Sequence, residues 1–339
     1  MSIVTRFREP RTRWLLRGIG ALLLVYAVAV LAGMWLWSYE PDQFDVVALA
    51  RERAAMHGQQ PVTGSVTTQA LVGCTETLLD KRGGYLTNDR FPPGIFMDDV
   101  PNWEFGVLTA TRDLALALRN DFSRSQSQST EDTDLQEAQT LYNYDNNRWV
   151  FPSSESQYRK AIGYLDAYLL RLADNAHPNA QFYARADVLS EYLRQVSTRL
   201  GSFSQRLSAS VGQLRLDTDL AGHPEGTKST PTADSQIVKT PWGQIDDVFY
   251  ESRGYSWALL EQLKAIEVDF GPILERKNAL VSLRQVIREL QESQRPIASP
   301  VILNGGPFSF FANHSLVMAN YISRANAAII DLKSLLDRG

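Results

Sequence analysis

With 339 residues, 44% of them hydrophobic and 21% charged, the chain is long enough to bury one large core or two smaller ones, and its composition is globular. The formal net charge of −4 is unevenly spread: residues 1–17 carry Arg6, Arg8, Arg11, Arg13 and Arg17 against Glu9, residues 18–39 carry no charge, and residues 40–339 are acidic. An acidic bulk offers no field to draw in phosphates, which excludes nucleic acid as a partner, and the single Cys74 excludes an intrachain disulfide or a cysteine-based zinc site.

Residues 18–37 read GIGALLLVYAVAVLAGMWLW. As a helix this run is about 30 Å long, the thickness of the hydrocarbon layer. Trp14 precedes it, and Trp35, Trp37 and Tyr39 close it, as ring side chains do at a lipid–water boundary. Arginines before the run and Glu40, Asp42 and Asp45 after it put the N-terminus in the cytoplasm and the remainder outside. A cleaved signal peptide is the competing reading, with Val30-Leu31-Ala32 as a possible site. The apolar run continues past it through Met34, Trp35 and Leu36, which favours an uncleaved anchor. The lipid bilayer is therefore the first expected partner.

Between the anchor and residue 150 the spacing predicts helices over 44–56, 67–80 and 103–120. The Gly/Pro-rich residues 81–101 form an irregular segment, and the polar residues 123–134 a loop. Beyond 150, apolar residues recur at alternating threes and fours. One row is Tyr158, Ile162, Leu165, Leu169 and Leu172; a second runs from Phe182 through Ala186, Leu189, Leu193, Val196, Leu200 and Phe203 to Leu207. A third runs from Trp242 through Ile245, Phe249, Ser252, Ser256, Leu259, Leu263 and Ile266 to Phe270. The last is Met318, Tyr321, Ala325, Ala328, Leu332 and Leu335. Such spacing puts each row on one helix side, a seam to be covered by another helix. Asp174–Pro178 reads as a tight turn, 217–241 as a long surface connection, and Asn304-Gly305-Gly306-Pro307 as a turn before the last helix. Gly271-Pro272 should break the chain after Phe270, with Asp269 capping a helix over 273–292. No segment alternates with period two.

The fold class this implies is all-α: one transmembrane helix, then a long-helix antiparallel bundle. Its divisions are a basic cytoplasmic stub over 1–17, the transmembrane helix over 18–37, a membrane-proximal helical region with irregular loops over 40–150, and the bundle over 151–339. The last two pack as one body or as two. A faint echo pairs Phe122-Ser123-Arg124 and Asp132–Leu135 with Phe203-Ser204-Gln205 and Asp217–Leu220, read as two similar helix ends rather than a duplication.

Four stretches together carry a resemblance: 119–130 (RNDFSRSQSQST), 238–250 (VKTPWGQIDDVFY), 278–290 (NALVSLRQVIREL) and 313–332 (NHSLVMANYISRANAAIIDL). The chain resembles, along nearly its whole length, the bacterial membrane-anchored family known as domain of unknown function 2333. The resemblance implies a bacterial inner membrane with the bulk of the chain in the periplasm. It implies no activity and no site residues.

No phosphate-binding loop, zinc-protease or serine-hydrolase motif is present, and His57, His177, His223 and His314 are isolated in sequence, so no cofactor or metal is expected. Asp98, Asp99 and Glu104 flank Pro101 and Trp103 where a loop enters a helix. Paired carboxylates beside aromatic surface are what a glycan hydrolase needs, with Glu104 as the acid. The plainer reading is capping by Asp99 or Asn102, with Glu104 favoured by the helix dipole, and it fits Asp246-Asp247 equally. Cys74 fits a core position, and Arg124 with the hydroxyls of 123–130 fits either a phosphate- or sugar-binding loop or a linker. The expected role is an envelope scaffold, assembly factor or protein-binding module that engages another envelope protein or a second copy through its helix faces. Two alternatives are a tethered cell-wall hydrolase using Glu104 with Asp98 or Asp99, and a ligand-sensing bundle that signals through a partner protein.

Overall fold

The computed structural model describes residues 10–125, 130–174, 179–216, 235–299, 301–307 and 309–338. Arg6, Arg8, Glu9, His177, His223, most of the turn before residue 179 and most of the connection after Leu216 lie outside them, as does Asp217–Leu220 of the sequence echo.

The first helix, α1, spans Pro10–Trp37. Its segment Trp14–Trp37 is 24 residues, long and apolar enough to cross a membrane, and the helical body covers almost none of it. Among the described residues ten more helices follow: α2 (Val46–Met56), α3 (Ser65–Asp80), α4 (Asp99–Ala117), α5 (Thr133–Tyr142), α6 (Ser154–Leu172), α7 (Ala186–Ser208), α8 (Ile245–Asp269), α9 (Gly271–Arg276), α10 (Leu280–Ser293) and α11 (His314–Asp337). The fold is all-α, and its packing is organised around α8. Helices α3, α4 and α10 lie directly on α8, α11 bridges α7 and α10, and α5 with α6 forms an outer pair against α3 and α4. One apolar cluster runs through these helices from Leu71 to Leu336, so residues from both sides of position 150 meet in it.

Local chemistry sets the helix starts. Asp45 accepts from the Val47 and Ala48 amides to begin α2, and those bonds hold its carboxyl below the usual range. Asp132 caps α5 through the Asp134 and Leu135 amides and also takes an Arg171 guanidinium at 2.8 Å. After Ala117 one wide π-turn over Leu118–Phe122 carries Phe122 inward, where its ring meets Phe182, Tyr192 and Phe270 at centroid distances of 5.5, 5.9 and 5.2 Å.

Several expectations need correction. The apolar spacing read α8 as having one buried seam, but Ser252 through Leu263 is buried without interruption, because helices cover α8 on every side. Trp242, placed at the head of that row, sits in a short 3₁₀ turn and is 87% exposed. In α11 the fully buried positions include Ile322, Ile329 and Leu336, each one residue beyond Tyr321, Ala328 and Leu335 of the predicted row, since α10 and α7 both press on this helix. The break at Gly271-Pro272 is real, but the predicted helix over 273–292 is split. Asn278 takes a left-handed φ of 51° between α9 and α10. Asp269 does not cap that helix. Its Oδ2 instead accepts from the backbone N and the hydroxyl of Thr67, each at 2.7 Å, and so serves the start of α3, whose own N-cap is Gly64. One small antiparallel hairpin also exists, Gln213–Leu216 (β1) with Ser235–Val238 (β2), in register Gln213↔Val238. Leu214 and Ile237 are exposed on it, so no buried face imposed an alternating pattern.

Candidate functional site

Glu104 lies in the first turns of α4 with no exposed surface. Its Oε1 accepts from the Leu86 amide at 2.8 Å and meets Lys81 Nζ at 2.5 Å, while Oε2 accepts from the Thr87 amide at 2.8 Å and the Thr87 hydroxyl at 2.5 Å. The Lys81 side chain is 3% exposed and also donates to the Gly84 carbonyl. The carboxylate thus staples residues 81–87 to α4, with both oxygens engaged and neither facing solvent.

Asp98, exposed, is the N-cap of α4 and accepts from the Asp99 amide. Asp99 is half-buried. Asn102 donates to both the Asp98 carbonyl and Asp247 Oδ1, which brings the first turn of α8 alongside. Burial first, and then the neighbouring charges of Asp98, Asp246, Asp247 and Glu40, push the Asp99 carboxyl from 3.8 up to about 7. The folded state therefore holds this proton more tightly than the unfolded chain does. Stability from this group is greatest below about pH 4 and declines as pH rises towards about 7. Asp99→Asn should accordingly gain stability relative to the native protein at pH 8 and show no gain at pH 4, compared by chemical denaturation. An equal difference at both pH values would contradict the assignment. Among the described residues no three His, Cys, Asp or Glu side chains are grouped to hold a metal ion.

Cys74 and His314 have structural partners. Cys74 is fully buried on α3, its thiol directed at the Ala258 carbonyl and its pKa raised by burial. His314 Nδ1 accepts from the Leu303 amide at 3.1 Å, fastening the turn before α11, and burial lowers its pKa. His57 is exposed on the C-cap of α2.

A cleft of about 340 Å³ lies elsewhere, between α4, α5, α7 and α8. The spacing of Arg199, Phe203 and Arg206 turns all three to one side of α7. Arg199 forms a two-bond pair with Asp113 of α4, at 3.0 and 3.1 Å, and Arg206 forms another with Glu251 of α8 while lying 5.7 Å over the Phe203 ring. Arg112 reaches the other wall, donating through Nε to the Tyr142 carbonyl at 2.7 Å and through Nη2 to that of Tyr144 at 2.9 Å, where α5 ends. The carboxylate bonds raise the pKa of Arg199 and Arg206 further. Phe105 and Leu116 supply apolar wall, and Gln139, Asn143 and Ser202 line the mouth. The cleft presents three fixed guanidinium groups and two carboxylates, and it does not contain Asp98, Asp99 or Glu104.

Sequence reasoning passed over this site. Arg112-Asp113 interrupts an otherwise apolar stretch of α4, and Arg199 and Arg206 stand seven apart, which are the only local signals. The pairings cross 86 and 45 residues and leave no trace in spacing.

No curated protein and no solved structure matches the chain. A family profile does, over residues 9–339, from just before α1 to the final residue. The resemblance carried by the four stretches thus holds along the whole helical body, and the chain belongs to the family described as an uncharacterized protein conserved in bacteria, DUF2333.

Proposed function

We propose that this is a membrane-tethered binding protein of the bacterial envelope: α1 crosses the inner membrane, the helical body stands in the periplasm, and the cleft between α4, α5, α7 and α8 grips a segment of a partner protein. The observation that carries this reading is the fixed set of charges in the cleft. Arg112, Arg199 and Arg206 are each held by a carboxylate or by backbone carbonyls. Guanidinium groups ordered in advance lose little entropy on binding and present a forked donor face to acceptors. Asp113 and Glu251 beside them suit a ligand with donors as well as acceptors, which is the character of a polypeptide carrying an acidic side chain. A binding role is favoured over hydrolysis by the position of Glu104, whose oxygens already have protein partners and no exposed surface.

A photo-crosslinking residue at Asn143, exposed at the mouth, should yield one discrete adduct in intact cells. Adding Ser202→Trp, which fills the cleft while sparing every ion pair, should remove that adduct without changing thermal stability. A crosslinker at Val281, exposed on α10, should not give it. An adduct that survives Ser202→Trp, or that forms equally at Val281, would overturn the cleft as the binding site.

A further inference from the structure

Two loops carry six large apolar side chains into solvent beside the last turns of α1. Phe91, Ile95 and Phe96 come from the segment before α4, with Phe91 65% and Phe96 62% exposed; Trp149, Val150 and Phe151 come from the segment before α6, with Trp149 52% and Phe151 93% exposed. Patches of this kind on a water-soluble surface mark a contact with protein or lipid.

The two loops form one surface. Tyr85 donates to the Asn146 carbonyl at 2.9 Å, Asn88 donates to the Arg148 carbonyl at 2.9 Å, Arg90 donates to the carbonyl and side-chain oxygen of Asn147, and the Phe91 and Trp149 rings meet edge to face at 5.9 Å. That surface is tied to α1. A Cβ at Gly33 would stand 2.9 Å from Pro93 Cγ, and one at Gly83 would stand 2.6 Å from the Trp37 indole. Val30, Gly33, Met34 and Trp37, on one side of α1, are the part-covered positions of its last two turns, whereas Leu31, Trp35 and Leu36 remain exposed.

These contacts set a depth. Gly33 lies four residues before Trp37, so Pro93 sits about 6 Å back along the helix, towards the middle of the span. If Trp37 and Tyr39 stand at the lipid boundary, the residues flanking Pro93 lie below it, among the outer ends of the acyl chains. We infer that the aromatic platform of Phe91, Ile95, Phe96, Trp149, Val150 and Phe151 is seated in the outer leaflet of the same bilayer that α1 crosses, so that the helical body is docked on the membrane rather than swinging from a tether. The inference rests on α1 spanning the membrane. Exposed Arg82, Arg90 and Arg148 stand beside the platform, Arg82 lying 5.8 Å over the Tyr39 ring, and suit lipid phosphates. Asp89 and Asp98 share the first loop, so the rings and not net charge supply the attraction. A docked body holds the cleft at one fixed height and orientation above the membrane.

The full-length protein in phosphatidylcholine nanodiscs tests this. Single cysteines replacing Leu23, Phe151 or Val281 carry an environment-sensitive fluorophore; Cys74 is fully buried and does not compete for the label. Lipids bearing a doxyl quencher near the headgroup end of the acyl chain are then introduced. Phe151→Cys should show blue-shifted emission and lose most of it to the quencher, Val281→Cys should show neither change, and Leu23→Cys should be blue-shifted as a marker for the span. Leu23→Cys in a lipid environment with Phe151→Cys unquenched would overturn the platform and leave the tether standing. A blue shift at Phe151→Cys without quenching would mean that protein covers the patch, and would also overturn it. Leu23→Cys in an aqueous environment would overturn the tether itself.

Discussion

Glu104→Ala should lower the stability of the full-length protein by about 3–5 kcal/mol, measured by denaturant unfolding in detergent micelles. The loss has two parts. Lys81, 3% exposed, would be left without its carboxylate, and a buried charge stripped of its partner is costly whatever the pair contributed when intact. The amides of Leu86 and Thr87 would also lose their acceptors, at roughly 1–3 kcal/mol for each group left buried and unsatisfied. The double replacement Lys81→Met with Glu104→Ala should recover the first part and not the second, giving a variant less stable than native and more stable than Glu104→Ala alone. An unchanged unfolding midpoint for Glu104→Ala would contradict the staple, and a hydrolase reading built on this carboxylate would regain ground. Loosening residues 81–87 should also free the neighbouring loop from α1, since Gly83 rests on Trp37.

Gly254→Ala should destabilise the protein by about 3 kcal/mol or more, although alanine is the better helix former by roughly 1 kcal/mol. The reason is the reciprocal contact of α4 and α8. A Cβ on Gly254 would stand 2.0 Å from the Trp103 carbonyl oxygen, and one on Gly106 would stand 2.0 Å from the Glu251 carbonyl oxygen and 2.6 Å from the Tyr255 nitrogen. The obstacles are backbone atoms, which no rotamer change can move aside. The helices must separate by over an ångström, and buried Trp103, Val107, Tyr255 and Ala258 lose their packing together. Gly106→Ala should behave alike. Gly163→Ala on the exposed side of α6 is the matched control: nothing lies within 4 Å of its would-be Cβ, so it should be neutral or stabilising by up to about 1 kcal/mol. Thermal unfolding of the three variants side by side gives the signs, and a stabilised Gly254→Ala would contradict the close approach.

These two cases show what a single sequence discloses. Helix α7 was legible because one side of it is buried and the other wet, so Leu189, Leu193, Val196 and Leu200 stand out by period. Helix α8 was legible as a helix but not as the centre, because burial on all sides erases the contrast that periodicity measures. Helix α5 was missed: its ten residues bury only Leu135, Ala138 and Tyr142, too few to establish a period. The close approach on α8 was not legible: it is made at Gly254, two residues from Ser252 and Ser256 and so on the opposite side of the helix from the row that spacing picked out. Of the candidate carboxylates, Glu104 is fully buried with both oxygens bonded. Its partners Lys81, Leu86 and Thr87 come from an irregular segment whose path no spacing predicts. The cleft was hidden for the same reason, its ion pairs being made between helices distant in sequence.

Fusions after Leu336 measure directly which side of the membrane the helical body occupies. Alkaline phosphatase, which folds only outside the cytoplasm, should be active at this position, and green fluorescent protein exported through the same route should be dark. A dark phosphatase with a fluorescent partner fusion would put α2 through α11 in the cytoplasm and contradict the proposed periplasmic role.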